Sequence, residues 1–99
     1  MKIDGSSLIG MRASQRGNTF HAVNPATGET LPQSYCEAAT EDVASACQLA
    51  ESAFPVFSGL SPESRAQFLE AIADAIVAIG DDLIVTAMSE SGLPRMRLE

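Results

Sequence analysis

Apolar positions change their period once along this chain, near residue 40. Before it the runs are short and suit strands. SLIGMR (7–12) is a brief apolar stretch read as a strand, and ASQRGN (13–18) a loop with a Gly-Asn turn signal. TFHAVN (19–24) alternates, Phe20 and Ala22 against His21 and Val23. Asn24-Pro25-Ala26-Thr27-Gly28-Glu29 reads as a turn: the Asn side chain can bond nearby backbone, Pro fixes φ, and Gly supplies a positive φ. ETLPQSYC (29–36) resumes an extended run, and Pro32, which cannot donate to a ladder, assigns it to a sheet edge.

Beyond residue 40 the spacing becomes helical. Thr40 is placed to cap, with Glu41 and Asp42 at the positive end of the helix dipole. Val43, Ala46, Cys47, Ala50, Ala53, Phe54 and Phe57 form a stripe, which Pro55 is expected to end or kink near Phe54. Ser61-Pro62-Glu63 opens the next helix with an N-cap, a first-turn proline and an acid. Gly80 is expected to end that helix. Asp81 or Asp82 would cap a third, stopped by Gly92, and Pro94 would open a fourth. In the second helix Ala66, Leu69, Ile72, Ala73, Ile76 and Ile79 share a face, and Glu63, Gln67, Glu70 and Asp74 make a narrow wet strip. So little polar surface implies neighbours on more than one side. The fold class read from this pattern is an α+β segment, strands followed by three to four helices. Its parts divide at residues 1–39 (strands and turn) and 40–99 (helical).

Composition narrows the function. The chain has 99 residues, 13 acids against 6 bases and a formal charge of −7, which disfavours nucleic acid and anionic membrane as partners. MKIDGSSLIG lacks the apolar run of a signal peptide, and no segment approaches a bilayer span, so a cytoplasmic protein is expected. Two cysteines do not make a disulfide framework. Cys47 lies on the apolar stripe and reads as a small core residue rather than a nucleophile. Cys36 has no CxxC partner for zinc. His21, the single histidine, reads as a solvent-facing strand residue. Gly5, Gly10, Gly17 and Gly28 form neither GxGxxG nor a P-loop. Ser91, after Glu90 and before Gly92, is a poor match to a carrier-protein attachment serine and better explained by a helix stop.

The order of these segments carries more than any one of them. NPATGE (24–29) is followed by Ala39-Thr40-Glu41-Asp42-Val43 and an Ala-rich helix ending Ala53-Phe54. Then come Ser61-Pro62-Glu63-Ser64-Arg65-Ala66, Phe68-Leu69-Glu70-Ala71-Ile72-Ala73 and Glu90-Ser91-Gly92-Leu93-Pro94. This succession resembles the N-terminal region of the NAD(P)-dependent aldehyde dehydrogenase superfamily, from Leu8 onward. Residues 73–76, 80–84 and 90–99 look most like the branch of 2-oxoglutarate semialdehyde (2,5-dioxovalerate) dehydrogenases and related fatty-aldehyde enzymes.

The resemblance implies an α/β parent in which a cysteine thiolate attacks the aldehyde, hydride passes to NAD or NADP, and a glutamate-activated water releases the acid. It places those residues downstream: Cys36 and Cys47 match none of them. No catalytic, cofactor-binding or metal-binding residue is therefore expected in this chain, and no cofactor for it alone. The expected partner is the remainder of a parent chain. The unfinished fourth helix adds the expectation of a truncated polypeptide, and the unmatched apolar faces that of self-association. The rival reading is a complete acidic helical module that binds a protein through the Phe54/Phe57 and Ile76/Ile79 surfaces.

Overall fold

The computed structural model describes residues 3–99. Two antiparallel hairpins come first. β1 (Ser7–Ile9) pairs with β2 (Arg12–Ser14), and β3 (Thr19–Val23) with β4 (Thr30–Cys36). Then come α1 (Thr40–Ser58), α2 (Pro62–Ser91) and a 3-10 turn (Arg95–Arg97).

The 7–18 region differs from its sequence reading. SLIGMR is a strand, a turn and the start of a second strand, because Gly10 (φ 60°) takes the first of two connecting positions, where a hairpin favours glycine. β2 therefore occupies part of the expected loop. The 24–29 turn forms by the expected local chemistry. Ala26 N–H donates to Asn24 Oδ1 at 2.9 Å, Gly28 N–H to the Asn24 carbonyl at 2.7 Å, and Gly28 has φ 77°. Register slips between His21 and Val23, so residues 31–33 bulge around Pro32. The His21 ring spans that bulge, with Nδ1 at 3.0 Å from the carbonyls of both Leu31 and Gln33. Both partners accept only, so Nδ1 carries the proton. Phe20 stacks on its cross-strand partner Tyr35 at 5.9 Å between centroids.

The helices number two, not three or four. Pro55 does not end α1: it falls in the last turn, where one missing N–H bond is tolerated, and the helix continues to Ser58. Gly80 (φ 10°, ψ −94°) leaves helical geometry and kinks α2 without ending it. Asp81 and Asp82 thus continue a helix instead of capping one. Pro94 precedes a single 3-10 turn in place of a fourth helix. The cap of α1 is also different. Ala39 is the N-cap, and its N–H donates to Asp42 Oδ2 at 3.3 Å. The start of α2 matches its signal: Ser61 Oγ accepts from Ser64 N–H at 3.1 Å, with Pro62 at the first position. Gly92 (φ 70°) closes α2 in the left-handed cap, its N–H on the Met88 carbonyl at 2.9 Å.

These elements do not close on one another. The exposed surface is 7412 Å², whereas a folded monomer of 10.4 kDa exposes about 5,400 Å². The radius of gyration is 16.6 Å, against about 13 Å for a compact chain of this length. Among the described residues the buried set is Ile9, Ser14 and Asp42, and Ile9 alone of these is apolar.

Candidate functional site

Three junctions organise the molecule, and each was read differently, or not at all, from sequence. The first joins β2 to α1. Asp42 is 1% exposed; its Oδ2 accepts from Ser14 Oγ at 3.0 Å, and Arg12 and Arg16 stand 4.0 Å from Oδ1. Arg12 also donates to Ser45 Oγ at 3.2 Å. Asp42 is thus more than an acid favoured by the helix dipole: it fastens the first hairpin to the first helix. No local signal could have shown this, because Ser14 lies 28 residues away.

The second junction joins β4 and the 24–29 turn to the end of α2. Tyr35 OH donates to Glu90 Oε1 at 2.5 Å. A Cβ on Gly92 would lie 3.0 Å from Pro25 Cγ, so that glycine permits a close approach as well as a positive φ. The two turns quoted for the family resemblance, 24–29 and 90–94, are therefore neighbours in space. The bond to Glu90, then burial, then the carboxylate's charge push the Tyr35 phenol from 10.0 up to about 12. Folding favours the neutral phenol, so this stabilisation is fully present below pH 10 and is lost as pH rises through about 12. Tyr35 is the only tyrosine and there is no tryptophan, so absorbance of tyrosinate reads this group alone. Glu90→Gln is expected to lower its midpoint by about one unit or more. An unchanged midpoint would contradict the assignment of cause.

The third junction is open. α1 and α2 meet at Phe57 and Phe68, edge to face with centroids 5.3 Å apart. Beside that contact lies an apolar groove of about 320 Å³ lined by Ala50, Ala53, Phe54, Phe57 and Phe68. Burying the α2 stripe Leu69, Ile72, Ile76 and Ile79 would stabilise by about 6–12 kcal/mol. Leu69 and Ile76 are more than half exposed, so a large part of that energy is not realised within the chain. Phe54 is 69% exposed.

The residues weighed for chemistry stay apart. Cys47 is exposed, which corrects its reading as a core residue: its stripe is apolar, but nothing in the chain covers it. Cys36 is half-buried on β4, with its backbone N–H on the Gly5 carbonyl at 2.9 Å. His21 Nδ1 is committed to backbone carbonyls, and Ser91 Oγ donates to the Ala87 carbonyl at 2.5 Å. Among the described residues no group of three or more potential metal ligands occurs, and no helix is long and apolar enough to cross a membrane.

A helix N-terminus with free N–H groups is a ready site for a pyrophosphate, and acids in its first turn disfavour one there. α1 opens with Glu41 and Asp42, and α2 with Pro62 and Glu63.

Comparison with known proteins agrees with the order of motifs. The profile of the aldehyde dehydrogenase family matches residues 11–98, and the chain belongs to that family. It is 44% identical, over its whole length, to alpha-ketoglutaric semialdehyde dehydrogenase 2 of Azospirillum brasilense, covering 19% of that protein. It is 30% identical to alpha-ketoglutaric semialdehyde dehydrogenase of Acinetobacter baylyi, over 97% of this chain and 18% of the relative. Succinate-semialdehyde dehydrogenase [NADP(+)] 2 of Schizosaccharomyces pombe is 31% identical over 88% of this chain and 17% of its own length. The chain thus spans about a fifth of these relatives. No solved structure matches it.

Proposed function

We propose that this chain is the N-terminal segment of an enzyme that oxidises an aldehyde to the carboxylate with NAD or NADP, and that its own part is structural. The names of two relatives point to 2-oxoglutarate semialdehyde as the substrate class. In such a reaction the nicotinamide accepts the hydride. What this chain supplies is shape. Its hairpins, tied by Asp42 and by Tyr35–Glu90, hold two helices so that their apolar faces point outward for covering. The observation that carries the reading is the surface left open, 7412 Å², in a chain assigned to this family.

Complementation tests it. The 99-residue chain alone should oxidise no aldehyde. Mixed with a polypeptide carrying the remaining four fifths of the Azospirillum relative, it should restore NAD(P)-dependent oxidation of 2-oxoglutarate semialdehyde. Turnover by the chain alone, or no restoration by a folded mixture, would defeat the proposal. Left without a partner, the chain is expected to self-associate, more at high salt than at low, because screening weakens the repulsion between copies of charge −7.

A further inference from the structure

The two arms of α2, on either side of Gly80, are held unequally. The C-terminal arm, 81–91, is tied to the strands and to the 3-10 turn. Glu90 accepts from Tyr35 OH, Gly92 lies against Pro25, and Asp81 Oδ1 accepts from Arg95 Nη1 at 2.9 Å. The N-terminal arm, 62–79, meets α1 at the Phe57–Phe68 ring contact, far from the kink. Its Arg65 turns back to the connecting loop, where Nη1 donates to the Leu60 carbonyl at 2.9 Å. Along the rest of this arm Leu69, Ile76 and Val77 are more than half exposed. A segment with few buried apolar contacts belongs to the low-stability end of a fold.

The joint itself is unpacked. A Cβ built on Gly80 would meet no atom within 4 Å beyond the helix's own nearby backbone. No close neighbour demands glycine there, so what it supplies is backbone freedom. In the crook of the kink lies an open cavity of about 230 Å³, lined by Ile76, Val77, Gly80, Leu83, Ile84 and Leu98. Space beside a joint lets its arms change angle without a clash. From the unequal attachment and the unpacked joint together, we infer that Gly80 is a hinge. The N-terminal arm swings about it while the C-terminal arm stays on β4. The swing changes the angle between α2 and α1, so the apolar face of 62–79 has no single direction in the chain by itself. Complementation can succeed or fail independently of this inference, which concerns the 99-residue chain alone.

Distances between pairs of spin labels, read by pulsed electron resonance, test it. Hinge motions run over microseconds to milliseconds, and a frozen sample keeps their distribution. Cys36 and Cys47 are replaced by serine, and labels are placed on cysteines at exposed positions. Glu29→Cys with Glu70→Cys spans the hinge, and Glu29→Cys with Asp82→Cys stays on the C-terminal arm. Dilution with unlabelled chain confines the reading to distances within one molecule. The 29–70 distribution should be at least about twofold broader than the 29–82 distribution. Gly80→Ala, which favours helical dihedrals, should narrow 29–70 to the width of 29–82 and leave 29–82 unchanged. Equal widths in the parent chain overturn the inference whatever the variant does. Two broad distributions also overturn it, since the C-terminal arm would then not be fixed. So does a Gly80→Ala chain, folded by circular dichroism, whose 29–70 distribution is as broad as the parent's. If Gly80→Ala does not fold, the parent chain's two widths decide.

Discussion

Asp42→Ala is expected to cost about 1.5–5 kcal/mol and to release the first hairpin from α1. The estimate has two parts. The Ala39 N–H loses its acceptor at the head of the helix, worth about 0.5–2 kcal/mol. Ser14, which is 5% exposed, keeps a buried hydroxyl without its partner, for about 1–3 kcal/mol more. Arg12 and Arg16 contribute less, being half exposed and 4.0 Å from the carboxylate. Asp42→Asn should fall between the two, since one oxygen remains to accept from Ser14 and Ala39. Urea unfolding gives the stabilities, and amide exchange on residues 7–14 shows whether the hairpin has come loose. A loss under about 0.5 kcal/mol in the alanine variant, the size of an ordinary surface change, would mean that Asp42 does not hold the junction.

Gly5→Ala should be the most disruptive glycine replacement in the strand region. Gly5 has φ 78°, and an added Cβ would lie 1.9 Å from the Ser34 carbonyl oxygen. No rotation relieves this, because the obstacle is backbone. The segment must move off β4 and give up the bond from Cys36 N–H to the Gly5 carbonyl, 2.9 Å long. Gly28 is the matched control: its φ is 77°, with nothing within 4 Å of the added carbon. Gly28→Ala should therefore cost only the left-handed backbone term, about 1–2 kcal/mol. Gly5→Ala should add about 0.5–1.5 kcal/mol for the lost bond. Exchange at the Cys36 amide separates the two, slow in Gly28→Ala and fast in Gly5→Ala. Equal behaviour would contradict the packing of the N-terminal segment on β4.

What could be read ahead from sequence follows the range of the forces involved. The Ser61 cap, the Asx turn at Asn24 and the Gly92 stop depend on neighbours within a few residues, and all three form as their residues dictate. Gly80 has the same composition signal as Gly92 but another outcome. At Gly80 the backbone leaves helical geometry but helical hydrogen bonding resumes at once, and the far end of that stretch is anchored by the Tyr35–Glu90 bond and the approach of Gly92 to Pro25. Gly10 shows the converse, since a short apolar run conceals a tight turn unless its strand partner is known. The apolar excess of α2 was visible as a pattern, and its exposure in the structure is the same fact expressed in area. Asp42 was invisible as a clamp, because its partners lie a hairpin away. The apolar stripe of α1 was visible as well, but the covering assumed for Cys47 is not supplied by this chain.

Small-angle scattering extrapolated to zero concentration measures the openness of the folded chain directly. A radius of gyration close to the 16.6 Å of the structure, with helical circular dichroism, is the result expected. A value near 13 Å would mean a closed globule that covers its own apolar faces, and one near 30 Å an unfolded chain; either would contradict it.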